Sequence, residues 1–288
     1  MRFAAVYHKQ LGDTLLLQPA LGLLADKSGQ PVTLFTHPGH RPLVELMPGV
    51  VPGDPAAPGP GFDRIIAFDQ SSRSLFRTLR IGARHRQLVA RARVYVRWYH
   101  KWLFHSCSSG ELCDRYVGRY YFDVAADPNG GAVFVPPELR RPPEAWQDSL
   151  NAPRPSVLIN PVSAWNEKSW DTPGWQTVIR SILDRSGGPI GVLGGAADWQ
   201  ISLCQGICAP FSKDSVINLA GKTSLKQFLA LLANAPMTLT VDGAASHIAQ
   251  AFGNKTVALF GPTNPLLWHH DTPHNLSIHA SQFSDHPL

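Results

Sequence analysis

The chain has 288 residues, 44% of them hydrophobic, which is enough for two ordinary domains with a core each, and its net charge is +5. Its best apolar runs, such as FLALLANA, suit a core helix rather than a membrane span, and the opening MRFAAVYHKQLGD lacks the long apolar stretch of a secretory signal. Four cysteines, Cys107, Cys113, Cys204 and Cys208, are too few and too unevenly spaced for a disulfide framework or a CxxC zinc knuckle, so a reducing cytoplasm is the expected compartment.

FAAVYH reads as a first strand, followed by the loop KQLGDTLL and a helix to about Ala25. VTLFTH reads as a second strand, PGHRPLVEL as a helix and RIIAFD as a third strand, an alternation that predicts a parallel, Rossmann-like sheet. From Gln70 to Gly110 there is no Asp or Glu, whereas Arg73, Arg77, Arg80, Arg84, Arg86, Arg91, Arg93, Arg97 and Lys101 all fall there. If RSLFRTLRIGAR is helical, its spacing puts Arg73, Arg77, Arg80 and Arg84 on one face. Such a stripe is either a solvated face or a site for an anion: nucleic acid, lipid headgroups or a phosphorylated glycolipid. The neighbouring Trp98, Tyr99, Trp102 and Phe104 suit a membrane surface or a packed core equally well.

Six prolines between Val133 and Pro155 resist both helix and sheet, which predicts an interdomain linker at 141–155 between domains at 1–140 and 156–288. The alternation then restarts. SVLINP, PIGVLGG and VINLAG read as strands, TPGWQTVIRSILDRSG as a helix capped near Thr172, and further helices begin near Asp198 and at SLKQFLALLANA. Two more buried strands, TLTVD and TVALFG, flank a short apolar helix that begins near Ala244. The expected fold is therefore α/β: two Rossmann-like domains whose parallel sheets face a cleft. Ligands bind at the carboxyl ends of such strands, which makes Asp242, His247 and the Gly261-Pro262-Thr263 turn candidates; the plain alternative is a βαβ unit with ordinary polar loops.

Two decoys fall away. AGKTS at 220–224 resembles the end of a P-loop, but Val216 stands where the first glycine is required, and GVLGGAAD lacks GxGxxG spacing. Neither a P-loop ATPase nor an NAD site is indicated. His269, His270, His274, His279 and His286 lie in what reads as a coil-like tail without metal-ligand spacing.

An ordered set of motifs survives: LGDTLLLQPAL, NPVSAWNEKSW, LGGAAD, LAGKTSL, VDGAASHIAQAFG and LFGPTNP. Together they resemble glycosyltransferase family 9, the ADP-heptose:lipopolysaccharide heptosyltransferases of GT-B fold, from about Phe3 to Trp268 and most strongly after Ser156. The resemblance implies an inverting transfer of heptose from ADP-heptose to a lipopolysaccharide core acceptor. Asp13 would be the general base, removing the proton of the attacking hydroxyl, after Gly12 has given the backbone a tight turn close to the acceptor. Taken alone, Asp13 would read as a helix N-cap. Lys168 and Ser163 would meet the leaving diphosphate. Asp198 would hold the ribose, Thr263 would line the donor pocket, and Asp242 and His247 carry the family pattern D-(S/T)-G-x-x-H. Gly243 and Ala244 depart from that pattern, losing a hydroxyl and a glycine. If the family glycine needs positive φ, Ala244 would be strained unless Gly243 takes the turn.

The resemblance further implies an ADP-sugar as co-substrate, no cofactor and no metal. Its acceptor would be an anionic glycolipid gripped by Arg73, Arg77, Arg80 and Arg84. Peripheral association with the cytoplasmic face of the inner membrane is expected, and nucleic acid is not an expected partner. The sequence ends at HASQFSDHPL where relatives continue into closing helices, from which a looser hinge or an edge covered by another subunit is expected. The alternatives are another nucleotide sugar or a protein acceptor on the same fold, or a non-catalytic binding protein on a decayed scaffold.

Overall fold

The computed structural model describes residues 1–54, 56, 61–110, 115–148, 154–186 and 188–283; Cys113, His286 and linker residues 149–153 lie outside them. The chain divides into two compact units, Met1–Arg140 and Arg141–Leu288.

In the first unit, β1 (Phe3–Val6), β2 (Val32–Phe35), β3 (Val50–Pro52), β4 (Phe62–Ala67), β5 (Ala83–Ala90) and β6 (Ser106–Ser109) form one sheet in the order β3-β2-β1-β4-β5-β6. Every pairing is parallel. A parallel sheet is covered on both faces, so its central strands are continuous apolar runs rather than alternating ones. Ala4, Ala5, Val6, Ile65, Ile66, Leu88 and Val89 are accordingly buried. The covering helices are α1 (Leu11–Leu15), α2 (Gln18–Ser28), α3 (Arg41–Leu46), α4 (Ser72–Arg80), α5 (Trp98–Leu103) and α6 (Val117–Tyr121).

Asp69, just past β4, fixes the local geometry. It is buried and accepts hydrogen bonds from the backbone of His8 at 3.0 Å, from Ser71 N–H at 2.8 Å and from the Ser74 hydroxyl at 2.5 Å. The loops after β1 and β4 are thereby tied together, and Asp69 steadies Ser71, whose Oγ caps α4 by accepting the Ser74 N–H at 3.3 Å.

Three strands here, β3, β5 and β6, were not expected from the sequence. The helix predicted over RSLFRTLRIGAR stops at Arg80, and Ala83 already belongs to β5. Arg84 is therefore a strand residue and not the fourth member of a helical stripe; it pairs with Asp63 at 3.6 Å. The charged first half of ARHRQLVA hides a strand whose second half is wholly buried.

In the second unit, β7 (Val157–Asn160), β8 (Ile190–Val192), β9 (Val216–Asn218), β10 (Met237–Val241), β11 (Lys255–Phe260) and β12 (Asn275–His279) form a second parallel sheet, ordered β12-β11-β10-β7-β8-β9. Its helices are α7 (Ala145–Asp148), α8 (Thr172–Ser186), α9 (Asp198–Cys208), α10 (Leu225–Asn234), α11 (Ala244–Ala251) and α12 (Pro265–Trp268). Trp175, Ile179, Ile159, Val192, Ile207 and Val241 pack into its core. Part of the expected linker is ordered in this unit, because α7 packs on α10 with Lys226 Nζ 5.3 Å over the Trp146 ring.

The tail expected to be coil-like instead adds β12, paired in register with β11 from Thr256↔Asn275 to Phe260↔His279. The cap of α8, expected near Thr172, is Asp171, which accepts the Gly174 N–H at 2.7 Å. Cys107, Cys204 and Cys208 are free thiols, and burial pushes Cys204 up to about 12 and Cys208 up to about 11.

The start of α10 is a capping box. Ser224 Oγ accepts the Gln227 N–H at 3.3 Å while Gln227 Oε1 accepts the Ser224 N–H at 2.8 Å, satisfying two donors that the helix cannot pair internally. Replacing Ser224 with alanine is expected to lower unfolding stability by about 1 kcal/mol, read from the urea midpoint at unchanged slope.

Candidate active site

Parallel strands deliver their following loops to one edge of the sheet, and the candidate residues of the second unit collect there. Asp242 follows β10 directly and is 2% exposed. A carboxylate so buried needs partners, and two loops supply them. Lys168, in the loop after β7, places Nζ 2.5 Å from Asp242 Oδ2; Thr263, after β11, donates its hydroxyl to the same oxygen at 2.7 Å. The Lys168 ammonium also lies 4.9 Å from the centre of the Trp165 ring. Three adjacent strands, β7, β10 and β11, thus contribute to one charged cluster.

Ser163 stands beside that cluster. Its Oγ accepts the Trp165 N–H at 3.3 Å, and a Cβ added at Gly243 would sit 3.1 Å from Ser163 Cβ. Gly243 has φ 175° and ψ −170°, ordinary extended backbone, and Ala244 is the first residue of α11. The strain expected at Ala244 is therefore absent, because the chain enters the helix without any left-handed residue. His247 is buried in the first turns of α11. Asp198 begins α9 exposed, apart from the Asp242 cluster's bonds.

Gln200 was missed by the sequence reading. Its Oε1 accepts the Gly195 N–H at 2.7 Å and its Nε2 donates to the Ser163 carbonyl at 2.7 Å, so it joins the loop after β8 to the loop after β7. A largely apolar cavity of about 590 Å3 is lined on one side by the Lys168 loop, Glu167, Lys168 and Ser169, and elsewhere by Trp170, Trp175, Leu239, Leu259, Ile278 and Phe283 among others. Away from Lys168 and Ser169 its walls offer few partners to a phosphate. The charged cluster and the N-terminal N–H groups of α11 are the places where an anion finds donors.

In the first unit, Asp13 lies inside the first turn of α1, whose N-cap is Gln10. Asp13 is therefore not the N-cap, and Gly12 makes no tight turn: it is a buried helical residue without positive φ. Tyr7 donates its hydroxyl to Asp13 Oδ2 at 3.5 Å, and Arg91 Nη2 lies 3.8 Å from the same oxygen. Arg91 also donates to the hydroxyls of Tyr121 at 2.8 Å and Tyr7 at 3.3 Å. Burial opposes the Arg91 charge, but Tyr121, Tyr7 and Asp13 outweigh it, and the guanidinium holds its proton more firmly than usual. Burial likewise keeps the Tyr7 and Tyr121 phenols above their usual range. Tyr7 and Arg91 directly follow β1 and β5, so the strand-end rule identifies them once β5 is known. Of the remaining expected residues, Arg73, Arg77 and Arg80 lie on α4.

Among the described residues, no three His, Cys, Asp or Glu side chains gather as a metal site. His269 is buried and bonds Gln250 at 2.7 Å. Burial lowers it from 6.5 to about 4, with His247 adding to the shift; Asp271, 3.3 Å away but largely exposed, pulls the other way and loses.

Two six-stranded parallel sheets of this kind define a two-domain α/β protein of the GT-B class. The family model for glycosyltransferase family 9 (heptosyltransferase) matches residues 116–286, and the chain belongs to that family. Over 140 residues it is 27% identical to lipopolysaccharide heptosyltransferase 3 of Escherichia coli K12, a match covering 49% of this chain and 40% of the relative. The chain thus spans less than half the length of that curated relative. In fold it is similar to E. coli ADP-heptose lps heptosyltransferase II, with TM-score 0.79 and 19% identity over 96% of this chain and 90% of that one. It is also similar to E. coli heptosyltransferase WaaC with ADP, with TM-score 0.73 and 18% identity over 97% and 93%.

Removing the Asp242 charge leaves Lys168 uncompensated. The substitution Asp242→Asn is expected to cost about 2–3 kcal/mol in urea unfolding, with part recovered in the Asp242→Asn/Lys168→Met double variant. His269 stays neutral in the folded chain down to about pH 4 but titrates near 6.5 when unfolded. Its contribution is complete above pH 6.5 and is lost as pH falls towards 4, by on the order of 3 kcal/mol. A His269→Gln variant should show a flatter stability profile over that window.

Proposed function

We propose that this protein is an inverting, metal-independent heptosyltransferase that moves heptose from an ADP-heptose donor to an anionic lipopolysaccharide-core acceptor at a cytoplasmic membrane face. The observation that carries the reading is the Lys168–Asp242–Thr263 cluster at the strand ends beside the α11 N-terminus. Such a place meets a diphosphate with a cation and with backbone donors, where negative charge grows as the nucleotide departs. Lys168 is the cation, and Asp242 aims it. Ser163 adds a hydroxyl, and Asp198, at the exposed start of α9, is the candidate for the ribose.

The base is assigned to Asp13. In the transfer the acceptor oxygen forms a bond to the anomeric carbon, the bond to the diphosphate oxygen breaks, and the acceptor proton passes to Asp13. Tyr7 and Arg91, themselves hydrogen-bonded, both hold the carboxylate through its Oδ2. Arg73, Arg77 and Arg80 supply positive charge for an acceptor's phosphates; Arg84, paired with Asp63 on a strand, leaves that group. Against a decayed, non-catalytic scaffold stands the relaxed backbone at Gly243 and Ala244. The solved WaaC structure with ADP supports the choice of nucleotide.

In chelator-treated buffer, Asp13→Asn is expected to abolish heptose transfer with ADP affinity unchanged, whereas Lys168→Ala weakens ADP binding about tenfold, equivalent to one charge-assisted hydrogen bond. Normal turnover by the Asp13 variant would remove that residue from the mechanism. A thermal-shift series of nucleotide sugars tests the donor, since saturation at a hundred times Kd adds about 2.7 kcal/mol. A larger shift with UDP- or GDP-sugars than with ADP-heptose would overturn the donor assignment.

A further inference from the structure

The first unit carries an aromatic and basic surface of which the transfer reading uses only Arg73, Arg77 and Arg80. Strands β4, β5 and β6 are consecutive and adjacent, so the right-handed crossovers through α4 and α5 lie on the same face of the sheet. Leu75 of α4 and Leu103 of α5 pack on one cluster with Ala67, Leu88 and Phe104. Inward anchors hold α5: His100 is 1% exposed and its Nδ1 accepts the Arg97 N–H at 3.1 Å.

The outward face is the reverse of what a solvated helix presents. Trp98 and Trp102 are 81% and 84% exposed, and their four-residue spacing puts them on one side of α5. Val94, Tyr95 and, on α4, Phe76 are also more than half exposed. The same elements carry Arg73, Arg77, Arg80, Arg93, Arg97 and Lys101, in a stretch from 70 to 110 that contains no carboxylate. Leaving this much aromatic surface in water is unfavourable, and so is crowding so many like charges together.

We propose that the α4–α5 face is a docking surface for an anionic phospholipid bilayer, with Trp98 and Trp102 entering the headgroup region and the surrounding Arg and Lys meeting lipid phosphates. Indole rings favour that boundary because one edge is polar and the body apolar. Nucleic acid would satisfy the charges but would leave Val94 and Phe76 in water. The inference rests on the transferase reading for its purpose, since a lipid-borne acceptor is presented at such an interface, but its chemistry is independent of Asp13 and the Asp242 cluster.

The test is co-sedimentation of the full chain with vesicles, without donor or acceptor sugar. Binding is expected to phosphatidylcholine–phosphatidylglycerol vesicles, to be absent with phosphatidylcholine alone, and to weaken as NaCl rises. Trp98→Ala/Trp102→Ala should lower partition by about tenfold, and Arg93→Ala or Lys101→Ala by about fivefold each. The urea midpoint of each variant checks that it folds. The tryptophan double variant should turn over a delipidated, soluble acceptor as the parent does. A parent that ignores anionic vesicles, a double variant that binds like the parent, or preferential binding to RNA or duplex DNA would overturn the docking surface. A parent that binds vesicles but transfers no heptose would leave docking standing and sink the transferase reading.

Discussion

A carboxylate taken out of water must be met by charge and hydrogen bonds or it costs several kcal/mol. Asp242 is such a carboxylate, and the loops of its sheet edge are arranged around it. Meeting it fixes Lys168 after β7 and Thr263 after β11, while the backbone N–H of Asp242 remains in the ladder to Leu259 at 2.9 Å. Gln200 extends the lacing to the loop after β8. Four neighbouring strand ends are held together by side chains, so a polar site built on loops is tied to the sheet beneath it. The first unit repeats the device: Asp69 binds the loops after β1 and β4, and Arg91 joins the ends of β5 and β1 through Tyr7 and Asp13.

What the sequence disclosed of this arrangement follows from how each element announces itself. A strand buried on both faces, such as Val157-Leu158-Ile159, is a continuous apolar run, and the cap before LKQFLALLAN carries its own signal in Ser224 and Gln227. The sheet margins announced less. β5 begins with Ala-Arg-His-Arg, which reads as a basic helix face until the break at Ile81 and Gly82 is recognised, and β12 is a short edge strand rich in polar residues. Contacts between distant residues were least visible. Nothing local in LGDTLL points to Arg91, since the link exists only because β1 and β5 flank β4 in space.

Motif residues were legible in identity and less so in conformation. Lys168, Asp242 and Thr263 are joined by direct bonds, as a common site requires. Gly12 illustrates the opposite case: a glycine before an aspartate suggests a tight turn, but here it is a small residue inside a buried helix turn. Arginine spacing misled for a related reason, because periodicity describes a helix only where a helix exists. With Arg84 on a strand, the charge of α4 is narrower and the aromatic face of α5 becomes its natural continuation.

Gly243 and Ser163 approach so closely that a methyl group at 243 would press on the serine Cβ at 3.1 Å. The hydroxyl residue that the family pattern places after the aspartate therefore has no free room here unless the serine loop gives way by a few tenths of an ångström. Positions 163 and 243 form one steric unit: a hydroxyl is present at this corner, carried by the loop after β7 rather than by the loop after β10. Substitutions at the two positions are coupled, and relatives with a larger residue at one are expected to carry a smaller or displaced residue at the other.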